Sequence, residues 1–291
     1  MTIMNLSIER KIQKNVPLSS LTTFKIGGPA RYFLTVGSQD ELVEAIRWAE
    51  NGDIPCFVLG GGSNVLVADQ GFNGLVIKLS MTDCQLSGAK ITVGASLSLM
   101  QLVKISIRNG LSGLEWAAGI PGTVGGAVRG NAGAFGHSIS ECLEKVEVLR
   151  DKKIIELKNR KIRFSYRQSV FKENKDIILR VILLLKKGDA RGDREQVATI
   201  LSRRLATQPS EPSAGCVFKN PESNSAGLLI EECGLKGKRI GGAEVSRKHA
   251  NFIINTGTAK AEDVLNLIKL IKRKVRDKFG VELEEEVEYV K

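Results

Sequence analysis

Seven glycines fall in the eighteen residues from Gly119 to Gly136, which open Gly-Ile-Pro-Gly-Thr-Val-Gly-Gly-Ala and continue through Gly130, Asn131, Gly133 and Gly136. No ordinary helix or strand tolerates that density, because glycine loses more backbone freedom on ordering than any other residue. Ile120, Val124, Ala127 and Val128 are interleaved with these glycines, a poor fit to a flexible surface loop. A second cluster, Gly60-Gly61-Gly62-Ser63-Asn64, directly follows the apolar run Cys56 to Leu59. Bare backbone N–H groups there can converge on a phosphate, with Ser63 and Asn64 adding side-chain donors. A tight turn between two buried strands accounts for the same five residues equally well. Neither cluster is G-x-G-x-x-G or G-x-x-x-x-G-K-[ST], so the Rossmann and P-loop fingerprints are absent. Two loops built for close backbone approach point to a long ligand carrying more than one phosphate.

The surrounding pattern is mixed α and β. Ala30 to Val36 reads as a strand, and Ser38 with Glu41 reads as a capping box for a helix that turns Leu42, Val43, Ile46 and Ala49 inward and stops at Asn51-Gly52. Cys56 to Leu59 reads as a short buried strand, with Val65 to Ala68 and Leu75 to Leu79 as further strands; Met81 to Ala89 reads as turn. Lys90 to Gly94 is a strand, Leu97 to Arg108 a helix capped by Asn109-Gly110, and Lys145 to Arg150 with Ile154 to Leu157 a hairpin. Ile177 to Lys186, apolar at nearly every position, reads as a strand buried on both faces. Helices are expected over Glu195 to Ala206, Ala226 to Cys233 and Ala261 to Phe279, short strands over Ala243 to Val245 and Asn251 to Asn255, and strand character over Val281 to Val290. Pro209 to Pro212 is the best linker, and the three segments join near residues 80 and 208.

The length of 291 residues allows two domains or more, and 42% apolar with 26% charged residues excludes disorder and fibrous repeats. No window approaches the roughly 18 to 20 apolar residues of a membrane helix. Met1 to Lys14 lacks the apolar core of a secretory signal. Five scattered cysteines, Cys56, Cys84, Cys142, Cys216 and Cys233, form no C-x-x-C pair, which indicates neither a disulfide framework nor a zinc knuckle and fits a reducing cytoplasm. The net charge of +11 could serve nucleic acid, a reading weakened by the few aromatic residues and the lack of any nucleic-acid motif or basic tail, and phosphorylated small molecules are an equally good partner for it.

Among reactive side chains, Arg167 in Phe164-Ser165-Tyr166-Arg167-Gln168-Ser169 suits a half-buried clamp for a carboxylate, against the plain alternative of a solvated arginine. Cys216 lies in Ala214-Gly215-Cys216-Val217-Phe218-Lys219-Asn220-Pro221, a small-residue turn, where an inert buried thiol is the bland reading. Glu286 belongs to the acidic run Glu282 to Glu288, which by itself reads as a solvated strand face. His137 and His249 show no metal-ligand spacing and no acid partner, so neither receives a role and no metal is expected.

In order along the chain, Leu21-Thr22-Thr23-Phe24-Lys25-Ile26-Gly27-Gly28-Pro29-Ala30, the Gly60 to Asn64 loop, Gly119 to Ala127, Tyr166-Arg167 before Phe171-Lys172, Gly215 to Pro221, and Leu283 with Glu286-Val287 closely resemble the UDP-N-acetylenolpyruvoylglucosamine reductases, also called UDP-N-acetylmuramate dehydrogenases. The resemblance implies an α+β chain: an FAD-binding fold of the vanillyl-alcohol-oxidase type made of two α+β subdomains, with a C-terminal α/β substrate-binding domain. The expected divisions are residues 1–80 and 81–207 for the two subdomains and 208–281 for the substrate domain, with strand 282–291 returning to the first. The 49 residues from Arg167 to Cys216 suit the shorter type, without a substrate-covering insertion. It further implies non-covalent FAD, NADPH as co-substrate, a UDP-sugar substrate, and a cytoplasmic monomer of peptidoglycan precursor synthesis, and hence of cell-wall biogenesis, cell shape and division. FAD would be held by Gly60, Gly61, Gly62, Ser63, Asn64, Gly119, Pro121, Gly122, Thr123, Gly125 and Gly126, and substrate by Tyr166, Lys219 and Asn220. Arg167 and Glu286 would stabilise the developing enolate and Cys216, where the family usually has serine, would donate the proton. Two other readings are a flavin oxidase acting on a different small acid, disfavoured by the lack of a histidine for covalent attachment in the first loop, and a non-enzymatic nucleotide-binding regulator, which would need no Arg167, Cys216 or Glu286.

Overall fold

The apolar run Ile177–Leu184 is the middle strand of a five-stranded antiparallel sheet, ordered Lys153–Lys158, Leu143–Arg150, Ile177–Leu184, Lys90–Gly94, Cys84–Ser87. Ile178, Leu179, Val181, Ile182 and Leu183 are all buried, as a strand lacking polar alternation requires. This sheet is seen in a computed structural model, which describes residues 8–222 and 224–291, so the first seven residues of the N-terminal stretch Met1 to Lys14 lie outside the described residues. The chain divides into two units. The first comprises the described residues up to Ile12, Leu34–Gly61 and Ile77–Arg204; the second comprises Gln13–Phe33, Gly62–Val76 and Leu205–Lys291.

In the first unit, the helix Leu99–Arg108 packs Leu102, Val103 and Ile107 into a core with Ile91, Val93, Val146, Val148, Val181 and Leu183. Asn109 and left-handed Gly110 end it, as expected. The hairpin Leu143–Arg150 to Lys153–Lys158 turns through Asp151 and Lys152 at φ 47° and 62°, the consecutive left-handed pair that a type I′ turn demands. Ser38 caps the helix Gln39–Asn51 by accepting from Glu41 N–H at 3.2 Å. The Glu41 carboxylate reaches the Gly37 N–H at 2.8 Å and the Lys11 ammonium at 2.5 Å, and these contacts hold its pKa below the usual range. Met81 to Ala89 is not all turn, because Cys84–Ser87 pairs with Lys90–Gly94 as an edge strand. Cys56–Leu59 is a strand as expected, but its Cys56 end is exposed.

In the second unit, the strands Ser213–Cys216, Phe252–Asn255, Ala243–Val245 and Arg239–Ile240 form an antiparallel sheet in that order. The helix Ala261–Phe279 carries Val264, Leu267, Ile268, Ile271 and Val275 as one buried stripe and joins Phe24, Leu66, Phe218 and Leu283 in a second core. Asp69 accepts from the Ala261 and Glu262 N–H groups at 2.8 and 3.1 Å, satisfying donors that a helix start leaves open. Left-handed Gly280 closes the other end. Of the expected strand over Val281 to Val290, only Glu288–Val290 forms one, parallel to Val65–Val67. The strand Gln13–Pro17 pairs antiparallel with Pro29–Val36, from Pro17 beside Pro29 to Gln13 beside Phe33. Among the described residues no helix is long and apolar enough to cross a membrane.

Candidate active site

In the first unit, Gly60 and Gly61 leave the strand Cys56–Leu59 and meet Gly122 and Thr123. A Cβ on Gly61 would stand 2.6 Å from Gly122 Cα, so two backbones touch where any side chain would part them. A Cβ on Gly60 would meet only Thr123 Oγ1, at 3.1 Å, which leaves the outer face of that turn open. The long glycine run is not all loop. Val124–Arg129 is a short helix, made possible because Thr123 Oγ1 accepts from Gly126 N–H at 3.2 Å while Leu97 O and Ala95 O accept from Val124 and Gly125 N–H at 2.9 Å each. Ile120 N–H donates to Ala117 O at 3.1 Å. Several N–H groups of this run are therefore committed inside the protein, and the part of the run that meets the first loop is Gly122 and Thr123. Gly125 has a packing reason, since a Cβ would lie 2.8 Å from that of Ala95, and Gly119, at φ 76°, accommodates the crossing Arg204, whose Nε donates to Ala118 O at 2.8 Å.

Arg167 lies on a tight turn of the same unit. Ser165 and Gln168 exchange backbone hydrogen bonds of 3.2 and 3.1 Å, and Arg167 sits at φ 56°. Arg167 is half-buried, and its guanidinium stacks over the Tyr166 ring with its carbon 5.4 Å from the centroid, while Tyr166 itself is 53% exposed. A charge held over an aromatic face is fixed in direction, which separates this arginine from a freely solvated one. His137, for which the sequence suggests no acid partner, has one: Glu141, four residues on, places Oε2 2.9 Å from His137 Nδ1. The pair is exposed, and Glu141 also closes a capping box with Ser138.

In the second unit, Gly62 at φ 63° turns its carbonyl onto Thr23, accepting from Thr23 N at 3.0 Å and Oγ1 at 3.3 Å. Asn64 O accepts from Glu288 N at 3.0 Å, and Asn64 Nδ2 donates to Glu286 O at 2.9 Å. The Asn64 amide thus holds the chain at Glu286, and the loop carbonyls face the protein, the orientation an anion nest needs. Cys216 ends a strand rather than standing in a turn: with Gly215 at φ 78°, the strand bulges between Ser213 and Cys216 against Phe252–Asn255. Bulges re-aim side chains, and this one does so at the candidate thiol. Glu286 N donates to Val217 O at 2.8 Å and Lys219 N to Glu284 O at 2.9 Å, so Cys216 and Glu286 are brought to adjacent backbone positions. Lys219 pairs with Glu284 and Lys272 with Glu285, which accounts for two neighbours of Glu286 in the acidic run. Asn220 Oδ1 accepts from Ala226 N at 3.0 Å and starts the helix Ala226–Glu232.

Sequence reasoning missed Asn251. This buried amide donates to Phe218 O at 2.8 Å and accepts from Phe218 N at 3.0 Å, pinning the segment after Cys216. Burial, with Lys236 adding to it, pushes the His249 imidazole below its usual pKa, and its Nδ1 accepts from Asn251 N at 3.3 Å. Among the described residues no group of His, Cys, Asp and Glu could hold a metal ion.

Residues 30–156 match the family model "FAD binding domain", and residues 208–290 match "UDP-N-acetylenolpyruvoylglucosamine reductase, C-terminal domain". A UDP-N-acetylenolpyruvoylglucosamine reductase of Caldanaerobacter subterraneus subsp. tengcongensis is 45% identical over 285 residues, 97% of this chain and 94% of the relative. That of Bacillus subtilis is 43% identical over 285 residues, 96% of this chain and 94% of the relative. The crystal structure of the Thermus caldophilus reductase superimposes with a TM-score of 0.84 at 40% identity, covering 96% of this chain and 100% of that one. The chain therefore belongs to the UDP-N-acetylenolpyruvoylglucosamine reductase family, FAD-dependent oxidoreductases that use NADPH to form UDP-N-acetylmuramate in peptidoglycan precursor synthesis.

Proposed function

We propose that this chain carries out the family's reduction with Cys216 as proton donor and with Glu286 and Arg167 stabilising charge on the enolpyruvyl group. The observation that carries the proposal is the Glu286 N–H to Val217 O bond of 2.8 Å, which sets the carboxyl-bearing segment beside the bulge that re-aims Cys216. Gly60 to Asn64 with Gly122 and Thr123 would hold FAD, which would supply hydride chemistry, with NADPH as the source of reducing equivalents and the terminal carbon of the substrate's double bond as the acceptor. The chain's own residues manage the charge and the proton. An electron pair is left on the neighbouring carbon, delocalised into the substrate carboxylate, and the planar fork of Arg167 matches that group with two parallel donors. Glu286 hydrogen-bonds the same developing enol. Cys216 Sγ–H gives its proton to the carbon bearing the ether oxygen, and the resulting thiolate regains a proton from solvent before the next turnover. A thiol of reference pKa about 8.5 is a stronger acid than the hydroxyl it replaces, so the substitution preserves the role.

Non-covalent FAD is assigned to Gly60, Gly61, Gly62, Ser63 and Asn64 of the first loop, with Gly122 and Thr123. The outward face at Gly60 and the inward carbonyls of Gly62 and Asn64 support that assignment. Lys219 and Asn220 are assigned to the UDP-sugar, with Tyr166 beside the arginine. Five free cysteines suit a reducing cytoplasm, and the enzyme acts there as a monomer, which light scattering would check. The test of the mechanism is a pair of variants. Cys216→Ala is expected to lower turnover by roughly 10²- to 10⁴-fold while Cys216→Ser retains substantial activity and incorporates solvent deuterium into product. An active Cys216→Ala enzyme removes the thiol from the mechanism.

A further inference from the structure

Arg167 does not hold its turn by local sequence alone. A non-glycine residue at φ 56° is uncommon and needs its surroundings to enforce it. Two of the bonds that hold it involve the later part of the glycine run, at Arg129 and Asn131. Ser169, fully buried, donates from Oγ to Arg129 O at 2.7 Å, and Asn131 donates from Nδ2 to Ser165 O at 2.8 Å. Lys172 Nζ adds a bond from further along the segment, donating to Arg167 O at 2.8 Å. Ser169 adjoins the turn and Lys172 belongs to the residues after it. Of these three side chains, Asn131 is the one that reaches in from another part of the sequence, and it does so under adverse conditions. It is only 8% exposed, it stands at φ 43°, and its Oδ1 is buried without a hydrogen-bond partner. A buried amide satisfied at one end is costly, and a glycine would fit the left-handed backbone with no such penalty. What the asparagine supplies that glycine cannot is the Nδ2–H at Ser165 O.

We propose that Asn131 is a positioning residue for the half-reaction in which the substrate is reduced and the flavin reoxidised: it fixes the Ser165–Gln168 turn and with it the direction of the Arg167 guanidinium. The proposal rests on the proton-and-charge reading of Arg167 under Proposed function. It also gives the far end of the glycine run a function separate from cofactor binding, since Asn131 acts on the turn and not on FAD.

The experiment uses the flavin-loaded enzyme and the variants Asn131→Gly, Asn131→Asp and Arg167→Lys, with the double variant Asn131→Gly/Arg167→Lys. Asn131→Gly keeps the left-handed backbone and removes the donor. Asn131→Asp keeps the shape and turns an oxygen toward the Ser165 carbonyl. Stopped-flow absorbance follows flavin reduction by NADPH and reoxidation by the UDP-sugar separately. Both Asn131 variants are expected to slow reoxidation about 10- to 100-fold, as a displacement near an ångström does, and to leave NADPH reduction unchanged. In the Arg167→Lys background the Asn131→Gly change should add little, because the fork it aims is already gone. Hydrogen exchange should show faster loss of protection at the Ser165 and Gln168 amides in Asn131→Gly. Wild-type reoxidation in Asn131→Gly, full additivity in the double variant, or equal damage to both half-reactions would each overturn the proposal. Loss of flavin binding in both Asn131 variants would do so as well, since it makes Asn131 a general structural residue. Failure of the Arg167 reading looks different: Arg167→Lys alone would then reoxidise at the wild-type rate.

Discussion

Replacing Gly61 by alanine adds one methyl group at the place where the two glycine loops of the first unit touch. Gly61 is not at positive φ, so its backbone accepts an L-residue, and the effect is confined to contact. The new Cβ would lie 2.6 Å from Gly122 Cα, 3.2 Å from Gly122 C and 3.4 Å from Thr123 N. The neighbours are backbone and cannot rotate away, so the loops must part by about 0.8 Å to regain ordinary van der Waals separation. Overpacking of this kind costs about 1–3 kcal/mol. If the loops part freely in the apoprotein, FAD must draw them back, and the whole cost appears as a weakening of about 5- to 140-fold in Kd. If the loops are held, the cost appears instead as lost stability. The assay is titration of apoprotein with FAD, followed by quenching of flavin fluorescence, with thermal unfolding of the same sample. Gly130→Ala is the control, because a Cβ there meets only Gly126 O at 3.5 Å, an ordinary contact, and both quantities should stay near wild type. Wild-type Kd and wild-type stability together in Gly61→Ala would refute the argument that close approach of these loops holds the cofactor site.

Asp69→Ala removes two acceptors from the first N–H groups of the helix Ala261–Phe279 and should destabilise the protein by about 1–2 kcal/mol, read from chemical denaturation. Unchanged stability would mean that water replaces the carboxylate without loss. Burial pushes the Cys142 thiol up to about 12 and the Cys56 thiol up to about 11, although residue 56 as a whole is exposed. At pH 8 their thiolates are some 10²- to 10³-fold rarer than that of a free cysteine, so iodoacetamide should label both about 10²- to 10³-fold more slowly in the folded protein than after unfolding, as peptide mapping would show.

The helix Ala261–Phe279 was legible because Val264, Leu267, Ile268, Ile271 and Val275 repeat at helical spacing and Gly280 follows them. The strand Ile177–Leu184 was legible because a run almost without polar residues has to be covered on both faces. The helix Val124–Arg129 was not. Its glycines oppose it locally, and what stabilises it is the distant carbonyls of Ala95 and Leu97, a tertiary contact with no local signal. The same holds for the strand Cys84–Ser87, which exists because Lys90–Gly94 lies beside it. At the candidate site the roles given to the reactive side chains came from resemblance to a family, whereas two of the amides that brace their segments, Asn131 and Asn251, received no role. Asn131 pairs with Ser165, 34 residues on, and Asn251 with Phe218, 33 residues back. A single asparagine at such a distance looks like any loop residue.

The hydrogen bond from Asn64 Nδ2 to Glu286 O joins residues 222 positions apart, and Glu288–Val290 completes its pairing with Val65–Val67 over a similar span. During synthesis, the apolar face of Val65, Leu66 and Val67 must therefore wait for nearly all of the rest of this sequence before its partner strand exists. The sheet over 84–184, whose pairings lie within one continuous stretch, can form long before that. Chain-closing entropy grows only slowly with such a loop, but the waiting time does not shrink, and an unpaired apolar strand is open to wrong partners throughout it. The second unit is thus the part of this protein most exposed to chaperone capture and to aggregation while it is being made.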